Sequence, residues 1–163
     1  MVSLAILGAA IGALTTGSIS DTYGRKFTII LGDVLMTIGT LMMCFAPTIP
    51  TLCAGRFVAG LGFGTEMMAC SIYLAEVSPR RVRGSIVTAN ISFCIFGQLL
   101  ALIICILISP SWRGMLGLGA VPAILQCFLA LIIMPETPYY LMRNGKVEEA
   151  ESVIKRFYKD QRA

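Results

Sequence analysis

The sequence predicts an all-α protein, a bundle of five transmembrane helices, and three observations carry that prediction. Of its 163 residues 56% are hydrophobic and only 13% charged, with a mean hydropathy of +0.82, whereas soluble domains carry about 25% charge. Five apolar segments, Val2–Ser20, Phe27–Ala46, Leu52–Leu74, Ile86–Ile108 and Met115–Met134, meet the roughly 20 helical residues that a hydrocarbon core of about 30 Å requires. Basic residues gather in alternate connections between these segments, the pattern that results when basic loops are kept on the cytoplasmic side.

Each span is read as helical because a backbone in lipid must satisfy its own polar groups, and because the segments are too long for single strands. The first, Val2–Ser20, has no basic region before it and no clear cleavage signal, so it reads as a retained span and not a signal peptide. Arg25 and Lys26 follow it. The second and third spans are joined at Pro47–Pro50, with no basic residue. After the third come Arg80, Arg81 and Arg83. The turn Ser109–Trp112 after the fourth is again free of them, with Arg113 at its edge. After the fifth stand Arg143, Lys146, Lys155, Arg156, Lys159 and Arg162. The charge rule therefore places the C-terminus inside and Met1 outside. The chain divides into a bundle over 1–134 and a cytoplasmic linker over 135–163. Within the linker, Val147, Ala150, Ile154 and Phe157 recur at helical spacing. Glu151 and Lys155 form a favourable i, i+4 pair, and Asn144-Gly145 breaks the chain just before. A short amphipathic helix from Lys146 to Phe157 is expected.

Composition also excludes several function classes. The basic residues form short clusters and no stripe interleaved with aromatics, so no nucleic-acid partner is expected. Six cysteines lie in or beside apolar runs, without a Cys-x-x-Cys pair and without any histidine, so no metal site is expected. They read as small buried hydrophobes. No catalytic triad, phosphate loop or metal cluster is present, so the chain reads as a non-enzyme with no cofactor.

Four motifs carry more specific meaning. Gly17-x-x-x-Asp21-x-x-Gly24-Arg25-Lys26 makes a very short charged connection, in which the glycines allow a tight turn and close helix approach. Arg56-x-x-x-Gly60-x-Gly62-x-Gly64 lies within a span. There Gly60 and Gly64 are a small-xxx-small pair, and Arg56 is costly in lipid unless it turns inward or snorkels to the outer edge. Tyr73-x-x-Glu76-x-Ser78-Pro79-x-x-x-Arg83-Gly84 offers opposite charges within reach of Arg25 and Glu136. Trp112-Arg113, Val121-Pro122-Ala123 and Pro135-Glu136-Thr137-Pro138 frame the last span. In this order and spacing the four motifs resemble the N-terminal half of the sugar porters of the major facilitator superfamily, and they cover nearly the whole chain. The resemblance equates the spans with that family's second to sixth helices, without the first. It implies a gating charge network of Asp21, Gly24, Arg25, Lys26, Glu76, Arg83 and Glu136. It implies further that Arg56 pairs with an acid on the absent first helix. Tyr139 stands where the family usually has a basic residue, removing one charge from that network.

The same resemblance points to a substrate contact. Ile91 and Gln98 are seven residues apart and share a helix face. In hexose-carrying relatives glutamines match both positions or the first and bind the sugar. Here Gln98 remains, with Asn90 nearby, as the candidate substrate-binding pair. An amide suits a neutral, hydroxyl-rich ligand because it both donates and accepts. Inositol carriers resemble this chain in keeping an amide at 98 and an acid at Asp33. Asp33 and Glu66, acids inside spans, are candidate functional groups for that reason alone. For Asp33 the simpler alternative is a hydrogen bond to a neighbouring helix; for Glu66 it is a partner on another span or simple protonation.

The expectation is a multi-pass carrier, plasma membrane by default, moving a sugar or polyol by alternating access, with proton coupling left open. Its partners would be the small-molecule sugar or polyol, a proton, the lipid bilayer, and the helices or second half that such carriers add. The competing expectation is a truncated, non-transporting membrane protein that binds and regulates a full-length carrier.

Overall fold

The computed structural model describes residues 2–79, 81–108, 119–143, 145, 147–149, 151 and 153. Six helices are delimited: α1 Val2–Tyr23, α2 Arg25–Cys44, α3 Ile49–Val77, α4 Arg83–Ile108, α5 Ala120–Ile133 and α6 Pro138–Arg143. Four of them, α1, α2, α3 and α4 over Arg83–Ile104, are long and apolar enough to cross a membrane. The described part of the fifth expected span is the 14-residue α5; residues 115–118 and the Trp112-Arg113 motif lie outside the described residues. Of the expected linker helix, residues 147–149, 151 and 153 are helical, and the rest also lies outside. The short α6 was not anticipated from the sequence.

Helix ends follow local chemistry. A single residue, Gly24 at φ +99°, separates α1 from α2, a backbone conformation only glycine adopts easily. Pro50 sits in the first turn of α3, where its missing N–H costs nothing. Ser78 turns extended just before Pro79, the restriction a proline imposes on its predecessor. At 29 residues, α3 spans roughly 44 Å, longer than the hydrocarbon core. Its last turns therefore carry Tyr73 and Glu76 to the basic end of the bundle.

Helix α3 is the central post, with α1 and α2 packed along it. Lipid gives no hydrophobic drive for helix association, so close approach of small residues decides the packing. On one side of α3, Gly60 and Gly64 lie against the backbone of Ala5 and Ala9, while Gly8 and Gly12 of α1 lie against Phe57, Leu61 and Thr65. On another side, Gly55 and Gly62 meet Gly39, Met43, Gly32 and Met36 of α2. The anticipated Gly60/Gly64 pair is thus one strip of a two-sided glycine seam. Thr16, Thr28 and Thr65 are buried in this core, and each hydroxyl donates to a carbonyl of its own helix, Gly12, Gly24 and Leu61. That back-bonding satisfies the hydroxyls without a cross-helix partner.

Helix α5 packs on α2, and α4 lies at the margin against α3. From Ile91 to Ile104 every residue of α4 is exposed. Its apolar surface faces lipid or further helices, since water would not tolerate so many exposed aliphatic side chains.

Candidate functional site

Arg25 is the centre of the charged end. Its side chain is only 4% exposed, which demands full pairing of the guanidinium. The Nε donates to both oxygens of Glu76 at 3.0 Å, and one terminal nitrogen donates to Glu76 Oε1 at 2.8 Å. That same nitrogen lies 2.9 Å from Asp21, and the other donates to the Ser20 carbonyl at 3.0 Å. The fork of donors thus fastens the end of α3 to the α1–α2 turn, the bidentate geometry particular to arginine. The Tyr139 ring lies 5.4 Å from the guanidinium carbon, within cation–π range. Tyr139 therefore engages the cluster by the face of its ring.

Glu136 does a different task. Its Oε1 accepts from the backbone N–H of Arg25 at 2.8 Å, of Lys26 at 3.1 Å and of Thr137 at 3.2 Å. A carboxylate here satisfies free N–H groups at the start of α2 and sits at the positive end of its dipole. The Lys26 ammonium donates to the Leu131 carbonyl in the last turn of α5 at 3.0 Å, completing an exchange between opposite helix ends. Tyr73 donates to the Pro135 carbonyl and Tyr140 to the Thr22 carbonyl, each at 3.2 Å. Arg143 reaches Asp21 at 3.7 Å, but both are more than half exposed, so that pair contributes little.

The fold thus brings together Asp21, Gly24, Arg25, Lys26, Glu76 and Glu136. Arg83 stands apart: it is exposed, with no ion pair or hydrogen bond from its side chain among the described residues. It begins α4, and Glu76 and Arg25 close the cluster without it. Tyr139, Tyr140 and the Ser20 carbonyl were not foreseen; only the aromatic pair after Pro138 marked them in the sequence.

Gly24 matters for space as well as for φ. A Cβ there would lie 2.7 Å from Glu136 Oε2 and 3.2 Å from the Tyr140 ring. Gly24→Ala is expected to displace Glu136 and to cost about 1–3 kcal/mol from backbone strain alone. A lowered midpoint for thermal unfolding in detergent checks this; an unchanged midpoint contradicts it.

Within the membrane, Arg56 lines a cavity of about 340 Å³ with Val2, Ala5, Met36, Thr40 and Phe63. Its side chain has no ion-pair partner among the described residues. Asp33 is wholly buried, with both oxygens unpartnered, so the expected alternative of a hydrogen bond to a neighbouring helix is not what the structure has. Glu66 accepts from Gln126 Nε2 of α5 at 2.8 Å, a partner on another span. Asn90 is half-buried and Gln98 exposed on α4.

A family profile described as "Sugar (and other) transporter" matches residues 1–163. The chain belongs to the sugar transporter family. It is 37% identical over 161 residues to Inositol transporter 4 of Arabidopsis thaliana, covering 97% of this chain and 28% of that protein. It is 38% identical over 158 residues to the proton myo-inositol cotransporter of Homo sapiens, covering 94% and 24%. Among solved structures, the partially occluded inward-open xylose transporter XylE from E. coli superposes with a TM-score of 0.89 at 27% identity, covering 97% of this chain and 43% of that one. The chain spans less than a third of the length of these curated relatives. As a family member it is an integral, multi-pass, all-helical membrane protein of the major facilitator sugar-porter type, a family of transporters and not of enzymes.

Proposed function

We propose that this sugar-transporter chain supplies a rocking half-bundle of a carrier that moves a cyclitol or sugar across the plasma membrane by alternating access, in symport with a proton. The observation that carries the reading is the Arg25–Glu76–Glu136 cluster. It ties α1, α2, α3 and the exit of α5 together at one face, as a body that moves as a unit must be tied. In this reading residues 1–134 form the bundle, 135–163 the linker, and the cluster lies on the cytoplasmic side. The substrate class is supported by the inositol-transporting names of its relatives and by Gln98, an exposed amide within the apolar stretch of α4 that follows Ser92. Such a group is disfavoured against lipid and belongs against a polar pathway. Symport is supported by the names proton myo-inositol cotransporter and proton:xylose symporter.

Uptake of labelled myo-inositol and labelled glucose should be compared in vesicles from a transport-deficient host expressing the full coding sequence that contains these residues. Saturable uptake that prefers myo-inositol is expected, with Gln98→Ala lowering it about tenfold, the value of one hydrogen bond. Uptake indifferent to Gln98→Ala would remove Gln98 from the pathway, and absence of saturable uptake would remove the carrier reading.

The exposed face of α4 also favours a second reading, a part-length protein that docks on a full-length carrier and regulates it. Co-purification with such a carrier, without uptake by the chain itself, distinguishes it.

A further inference from the structure

Asp33 lies eight residues past the start of α2, about 12 Å along the helix, and is 0% exposed with neither oxygen hydrogen-bonded. Across the seam stands Glu66 of α3: a Cβ on the adjacent Gly32 would lie 3.1 Å from the Glu66 Cβ and backbone nitrogen. Gln126 of α5 holds Glu66 from the third side at 2.8 Å. The remaining titratable neighbours among the described residues are thiols, Cys70 of α3, Cys94 of α4 and Cys127 of α5. Among the described residues no cation is at hand. Arg25 is consumed by Glu76 and Asp21, Lys26 by the Leu131 carbonyl, and Arg56 is ten residues from Glu66, about 15 Å along α3.

An ionised Asp33 and an ionised Glu66 inside a membrane would each bear an uncompensated desolvation cost, and like charges on one seam repel. Binding a proton removes one charge and supplies an O–H donor. A metal ion is a poorer solution. Hard cations take six or more oxygens, and among the described residues no group of three or more acidic, cysteine or histidine side chains could hold one.

We propose that Asp33 and Glu66 form a proton-binding site inside the membrane, on the seam of α2, α3 and α5, with Gln126 holding the Glu66 carboxyl in place. The site is separate from the amide on α4 and from Arg56. A cavity of about 630 Å³, lined by Ile29, Cys70, Tyr73, Gln126, Met134 and Pro135 among others, extends from this seam towards the charged end. A proton from that side converts a carboxylate to a carboxylic acid, and release reverses it. Loss of the proton restores repulsion between α2 and α3 beside the Glu66–Gln126 contact, and α5 leads directly into Glu136. The proposal adds a proton-binding site to the carrier reading, and rests on that reading only for the use made of the proton.

The test is infrared difference spectroscopy of the chain in lipid nanodiscs through steps of pH. A carboxylic-acid C=O band is expected at neutral pH, retained in Glu148→Gln, which alters an exposed carboxylate, and lost in the double variant Asp33→Asn/Glu66→Gln. Absence of the band in the wild type, or its persistence in the double variant, overturns the proposal. Displacement of the band by sodium at constant pH also overturns it, in favour of a cation. Asn and Gln imitate neutral acids, so the double variant should fold at neutral pH; its failure to do so would show that the ionised form is required and would equally refute the assignment. Because no transport is measured, loss of the carrier reading leaves this result intact.

Discussion

Arg25→Ala is expected to destabilise the bundle by about 3–5 kcal/mol, the usual cost of removing one partner from a buried ion pair. The guanidinium is nearly inaccessible and makes four contacts to Glu76 and the Ser20 carbonyl, plus the Asp21 pair. Alanine leaves Glu76, itself only 18% exposed, as a charge without its counterion. The effect on the Glu136 cap is smaller, because that cap uses the backbone N–H of residue 25, which alanine keeps. Arg25→Lys should recover only part of the loss. A single ammonium cannot reproduce the planar fork that meets both Glu76 oxygens. Unfolding in detergent, followed by tryptophan fluorescence or circular dichroism, checks both variants. Equal stability of Arg25→Lys and the wild type would show that charge alone holds the cluster.

Gly64→Leu is expected to separate α1 from α3 and to cost at least about 1–3 kcal/mol, the range for overfilling a packed interior. A Cβ at Gly64 would run into the carbonyl of Ala9, a backbone atom that cannot rotate aside. The larger side chain must push whole helices apart and so forfeit the contacts at Gly8, Gly12 and Gly60 as well. Gly17→Ala is the matched control: nothing lies within 4 Å of a Cβ there. It should stabilise α1 by up to about 1 kcal/mol, the difference in helix propensity. If both substitutions behave alike, the glycine seam does not set the packing.

How much of this was legible beforehand varies with the range of the interaction. The Gly24-Arg25-Lys26 turn and the Gly60/Gly64 pair are local patterns and could be read directly. The resemblance implies that Arg83 belongs to the network with Glu76, yet Arg83 opens a new helix after Pro79 and is exposed. Glu66 had no readable role, because its partner Gln126 is sixty residues away. Tyr139 was read as a missing charge, whereas its ring occupies the space over Arg25; a substitution table records charge and not the face of a ring.

By itself, the chain's order of residues determined that the protein crosses a membrane, where four of its long apolar helices lie, and which connections carry the basic charge. Those properties depend on the hydropathy and length of contiguous segments, which the bilayer reads one segment at a time. Only the tertiary structure decided how each helix is rotated and what meets across it. Helices α1 and α3 are apolar on nearly every side, so no stripe announces their packing face, and the close glycine contacts choose it. The meeting of Glu66 with Gln126, the cap of α2 by Glu136 and the enclosure of Arg25 follow from that choice.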